Sequence, residues 1–132
     1  MSVLSRDEAQ ALLEKALSHV TADHASASVS GSSRGNIRYA RNTVTTSGQE
    51  NNVSLSVTCT FGKRSGSSST NDLSDDAIQR AVVRAEELAR LAPENPEFMP
   101  PVGPQRYLET PSLAPFTATL DASYRAGVAR AG

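Results

Sequence analysis

The sequence predicts an α+β domain, a mostly antiparallel sheet of about four strands with two helices packed on one face. Three observations carry that expectation. Val53, Leu55, Val57, Cys59 and Phe61 alternate with Ser54, Ser56, Thr58 and Thr60, the period-two pattern of a half-buried strand. Two segments flank the strand-rich middle of the chain with apolar residues at helical spacing, one near the N-terminus and one beginning near Ser74. Gly62-Lys63 permits a tight reversal directly after the alternating strand. A strand with one apolar face must bury it, and laying helices across that face is the simplest solution.

The elements follow in order. Ser5-Arg6-Asp7-Glu8 is a capping box, in which the Ser5 hydroxyl accepts from the Glu8 backbone and Glu8 reaches back. Ala9, Leu12, Leu13, Ala16, Leu17 and Val20 then recur every three or four residues, predicting a helix over about 6–19. Residues 25–33 alternate small residues with Ser and read as a strand. Gly35-Asn36 supplies a turn, and Ile37–Arg41 reads as a second strand. Asn42 marks a kink, and Val44–Thr46 resumes the strand before Gly48. The alternating strand spans 53–61. Beyond its turn, Arg64–Thr70 is nearly all Gly and Ser, so it either forms a sheet edge or lets another backbone approach closely.

Ser74 is placed to N-cap the second helix, with Asp75 and Asp76 where the helix dipole favours anions. Ile78, Ala81, Val82, Ala85, Leu88 and Ala89 form its buried stripe over 74–91. Glu86 and Arg90 are an i,i+4 pair, and Pro93 ends the helix. Six prolines between Pro93 and Pro111 make 93–114 an extended linker. Pro115 suits a helix N1, and Phe116, Leu120, Tyr124 and Val128 form a stripe spaced by four. The organisation expected is therefore a domain over 1–92, a linker over 93–114 and the start of a following helix over 115–132. That stripe has nothing after it to cover it, so the natural chain is expected to continue past Gly132, with a frayed tail as the blander alternative.

Bulk properties narrow the function classes. The chain has 132 residues, 38% apolar and 5% aromatic with no Trp, which implies a thin core of Ala, Val and Leu. A net charge of -1 offers no global field for nucleic acid or an anionic membrane. A single cysteine, Cys59, excludes an intrachain disulfide and fits a reducing cytosol. The acidic, amphipathic N-terminus lacks the basic and apolar regions of a signal peptide, and no apolar run approaches the roughly 20 residues that span a bilayer. A cytoplasmic protein is expected.

No residue set points to catalysis. His19 and His24, the only histidines, are five apart, a spacing that puts them on different faces of a helix, whereas metal pairs need three or four. Helix-end or surface roles suit them better. Cys59 falls on the inward phase of its strand, the place of an inert thiol. Ser65–Thr70 contains no nucleophile elbow. Gly62-Lys63 resembles the end of a phosphate loop, but Val57 stands where the first glycine is needed and Arg64 where Ser or Thr is needed. Arg34, Arg38, Arg41, Lys63 and Arg64 could make a small basic patch, without an aromatic platform for nucleic acid. No catalytic, metal-ligating or cofactor-binding residue is assigned, and substrate-binding residues are left open.

The order of elements is similar to the N-terminal domain of the TldD/PmbA family, also named modulators of DNA gyrase. The resemblance covers about residues 5–110 and rests on NIRYARNTVTTSG followed by VSLSVTCTFGKRSGSSSTNDLSDDAIQRAVVRAEELARLAPENPE. Within it, GSSSTNDLSDDAI leans toward the PmbA (TldE) branch. The resemblance implies a metallopeptidase assembly in which two TldD/PmbA-type subunits pair as a homo- or heterodimer and cleave unfolded peptides, with ribosomally made antibiotic precursors and an antitoxin as substrate classes. It implies a divalent metal, zinc being the expected ion, held by HExxxH and a later cysteine in a downstream region. Neither His19 nor His24 stands in such a motif, and Cys59 does not correspond to the ligand. PmbA-type subunits usually lack the motif altogether. This chain alone is therefore expected to be inactive and to carry no cofactor, with a peptide and a second subunit as partners and neither nucleic acid nor membrane among them. The alternative of another class is a non-catalytic dimerisation or peptide-binding module, motivated by the bare strand 65–70.

Overall fold

The computed structural model describes residues 4–41, 43–111 and 114–131. Its elements run α1 (Arg6–Ser18), β1 (His24–Ala40), β2 (Thr43–Phe61), β3 (Arg64–Thr70), α2 (Asp75–Leu91), α3 (Pro115–Ala118) and α4 (Ala122–Ala131). The three strands form one antiparallel sheet in the order β1-β2-β3. The class is α+β as the patterning predicts, with three strands in place of four. The difference lies at the glycines. Gly35-Asn36 does not turn; it stays extended inside β1, and Gly48 stays inside β2. A Cβ on Gly48 would sit 2.6 Å from the Asn36 side-chain oxygen, so this glycine marks a close approach between neighbouring strands. Four short strand signals thus become two long strands, and the seven-residue β3 completes the sheet. The reversal between β1 and β2 includes Arg41 at a left-handed φ of 51°. The kink expected at Asn42 lies outside the described residues.

The chain divides into two compact units, each assembled from separated segments. The first, Leu4–Gly31 with Val53–Gln105, holds the main core. Ala16 from α1, Leu55, Val57 and Cys59 from β2, and Ile78, Val82 and Ala85 from α2 are buried together, with Ala25, Ala27 and Val29 of β1 packed against them. Both helices therefore cover the same sheet face. The side chains are small, as the composition requires, and at about 25 cal/mol per Å² of apolar surface the core gains from many modest contributions.

The capping box forms as expected, with the Glu8 backbone donating to Ser5 Oγ (3.2 Å) and the Ser5 backbone donating to Glu8 Oε2 (2.7 Å). Ser74 occupies the N-cap position of α2, but its hydroxyl makes no capping bond. Asp72 organises that entry instead, accepting from the Ser74 backbone at 2.9 Å. After α2 the chain is tied to the sheet's end: the Asn95 backbone donates to Lys63 O at 2.9 Å, Glu94 pairs with Arg64 at 3.7 Å, and Phe98 lies against His24 with ring centroids 6.2 Å apart.

The second unit comprises Ser32–Asn52 and Arg106–Gly132. The stripe spaced by four falls in two helices, not one. Thr119–Asp121 interrupts it, and Asp121 accepts from the Tyr124 backbone at 2.7 Å, starting α4 afresh. Phe116 and Tyr124 meet edge to face at 6.1 Å. Of the described apolar residues in this unit only Ala129 is buried.

Candidate functional site

The Gly/Ser strand is the most distinctive surface, and its geometry follows from its composition. Cys59 pairs with Gly66, Val57 with Ser68 and Leu55 with Thr70, so these β3 residues share the inward face. A Cβ on Gly66 would fall within 2.5 Å of Ala85 O and 2.7 Å of Leu88 C, and closer still to Ala89 N. The α2 backbone therefore rests directly on β3, which only glycine permits. Both readings of this strand, sheet edge and close backbone approach, hold at once.

Ser65, Ser67 and Ser69 point to the opposite face beside Thr60, Thr58 and Ser56. Ser67 and Thr58 share a hydrogen bond of 2.8 Å, as do Ser65 and Thr60. These hydroxyls serve cross-strand pairing. Among the described residues, the outer backbone edge of β3 has no strand against it. No hydrogen bond outside the ladder engages its backbone among the described residues. Between that edge and α2 opens a groove of about 680 Å³, lined on one side by Ser68, Ser69 and Thr70 and on the other by residues of α2 that include Arg80, Val83, Arg84 and Glu87.

The remaining sequence candidates fall into structural roles. His19 is the C-cap of α1, and His24 opens β1. Cys59 is fully buried; burial first, and then the charge of Glu86, push its thiol above its ordinary value of 9.0. A raised pKa suppresses the thiolate, so this is an inert thiol. Lys63 and Arg64 sit at the β2–β3 turn, where Gly62 takes a φ of 59° and Arg64 engages Glu94 and the Arg90 carbonyl. Arg34, Arg38 and Arg41 belong to the other compact unit. No group of three or more His, Cys, Asp or Glu among the described residues could hold a metal ion.

Two features are not visible in the sequence patterns. Glu86, an i,i+4 partner of Arg90 by its spacing, is only 6% exposed. It accepts from the Thr21 backbone (2.5 Å), the Thr21 hydroxyl (2.8 Å) and the Ala22 backbone (3.1 Å), with Arg90 at 3.7 Å. The one signal in the sequence is its position a turn beyond Val82, at the margin of the apolar stripe. Arg80 and Arg84, four apart on the exposed face of α2, line the groove and form no ion pair among the described residues.

Residues 25–89 match the PmbA/TldA metallopeptidase domain 1. The chain belongs to the TldD/PmbA family, as its N-terminal domain. It also resembles the crystal structure of TldE from Thermococcus kodakarensis, with a TM-score of 0.66 at 16% identity. That match covers 78% of this chain and 23% of the TldE chain, so this chain spans about a quarter of that structure. At such identity the likeness shows the fold. None of the curated proteins searched matches. The TldD/PmbA match lies on the strands and α2, the part of the chain that forms β3 and the groove.

Proposed function

We propose that this chain is the N-terminal domain of a TldD/PmbA-type metallopeptidase complex acting on unfolded peptides, and that it carries no catalytic metal site itself. The observation that carries this reading is the match of residues 25–89 to the first domain of the family. Cys59, sealed in the core, suits a structural role better than a catalytic one. Zinc bound elsewhere in such an assembly would supply that activation. We assign the parent to the PmbA (TldE) side of the family, in the cytoplasm, and paired with a second TldD/PmbA-type subunit. A lone buried cysteine suits that compartment, and no described helix is long and apolar enough to cross a membrane. The test is cleavage of an unfolded peptide by the purified chain with added zinc. No cleavage is expected, and cleavage stopped by a chelator contradicts the reading.

A second reading, an interaction module that holds a peptide or a second subunit, is favoured by one observation. The outer edge of β3 is unpaired and opens onto a groove, and a bare edge accepts an added strand.

A further inference from the structure

We infer that the groove between β3 and α2 takes an extended peptide with acidic side chains at two alternate positions, added to the sheet as a fourth strand. The inference rests on the second reading above and names the chemistry of its ligand. Strand addition supplies main-chain hydrogen bonds along β3, whose edge is unoccupied among the described residues and whose side chains after Arg64 are too small to obstruct an incoming backbone. Selectivity then falls to the opposite wall. α2 runs back alongside β3, because Thr70 leads within five residues into Asp75 and Gly66 lies against Ala85 and Ala89.

Arg80 and Arg84 stand on this wall without a salt bridge among the described residues, although the Asp72 carboxylate feels the charge of Arg80. Four helical residues rise about 6 Å, and two strand residues advance about 6.6–6.8 Å, so the two guanidiniums match alternate side chains of one strand. Val83 lies between them in sequence, about half exposed, and offers an apolar contact.

The groove's own carboxylates set the flanks. Asp72 accepts from the Ser74 backbone, and Asp76 lies in the first turn of α2, both toward the end where the helix begins. Glu87 lies beyond Arg84. Neutral or basic residues therefore suit the ends of the ligand, and acidic residues its centre. A second copy of this chain fits less well, because edge-to-edge pairing of two β3 strands related by a twofold axis brings two Arg80–Arg84 pairs to one seam.

The test is fluorescence anisotropy at low salt with a labelled peptide matching the seven residues of β3, carrying Lys at both ends and Glu at its third and fifth positions. Saturable binding is expected. Replacing both Glu by Lys weakens it roughly tenfold, as two exposed ion pairs allow. N-methylation of alternate backbone amides on the paired side abolishes it. R80E/R84E, both at exposed positions, reverses the preference toward the Lys peptide. Equal affinity for the Glu peptide, the Lys peptide and a third with Gln at the same two positions overturns the acidic reading and leaves strand addition standing. No binding by any of the three overturns both. Light scattering that shows a stable dimer, lost on R80E/R84E, overturns the peptide in favour of a second copy.

Discussion

Glu86 concentrates more hydrogen bonding than any other carboxylate described. It fastens the Thr21-Ala22 connection between α1 and β1 to the middle of α2, and it does so almost out of contact with water. Removing it orphans three donors. Glu86→Ala is expected to cost about 2–4 kcal/mol in urea unfolding, and Glu86→Gln clearly less, because an amide oxygen still accepts. Equal losses in the two variants would contradict this role. At Gly66 the constraint is steric. Gly66→Ala drives a methyl into the α2 backbone and should cost about 1–3 kcal/mol or more, whereas Ser67→Ala gives up one shared hydroxyl bond and costs about 1 kcal/mol. Cys59 is expected to resist alkylation at pH 8 in the folded chain and to react once urea unfolds it. Prompt labelling without denaturant would show that the core around it opens.

At the scale of elements, the helices were far more legible in the sequence than the strand ends. The Ser5 capping box and the stripe from Ile78 to Ala89 are local patterns, and both helices form within a residue of their expected bounds. Strand limits depend on partners far away in sequence. Gly35, Asn36 and Gly48 look like turn residues in isolation, yet pairing keeps them extended. Ser74 was legible as the N-cap position, but Asp72 does the hydrogen bonding, a choice made by the turn from β3. The burial of Glu86 was not legible, because helical periodicity gives the angle of a side chain and not the neighbour that covers it.

The capping carboxylates also give α1 and α2 a pH dependence. Hydrogen bonds from the Ser5 backbone and hydroxyl hold Glu8 below its ordinary 4.5, and bonds from Ser74, chiefly its backbone, hold Asp72 below 3.8, with Arg80 adding to the effect. Each carboxylate is depressed in the fold, so its contribution is complete above the unfolded value and is lost as pH falls through the folded one. The unfolding midpoint in urea should fall below about pH 4.5, and S5A together with D72N should flatten that decline. A midpoint unchanged between pH 5 and pH 3 would contradict it.

For the whole molecule, burial is uneven between the two compact units. The unit of Leu4–Gly31 and Val53–Gln105 contains nearly all the buried side chains, while Phe116 is 69% exposed and Val128 58% exposed in the other. Amide hydrogen exchange should therefore be slowest at 55–59 and 78–85 and fast across 116–130. Equal protection in both would show a second core of comparable stability. The candidate site was half legible. The bare composition of 65–70 announced an edge and a close approach, but the groove exists only because α2 returns beside that edge, and the roles of Arg80 and Arg84 depend on it. Residues 25–89, which match the first domain of a metallopeptidase family, offer no catalytic constellation legible in the sequence.

The most direct measurement of the central claim is intact-mass spectrometry of an unfolded reporter peptide after prolonged incubation with the purified chain and equimolar zinc. A domain without its own catalytic metal site leaves the peptide at full mass, with or without EDTA. Cleavage products that appear with zinc and vanish with EDTA would contradict the account.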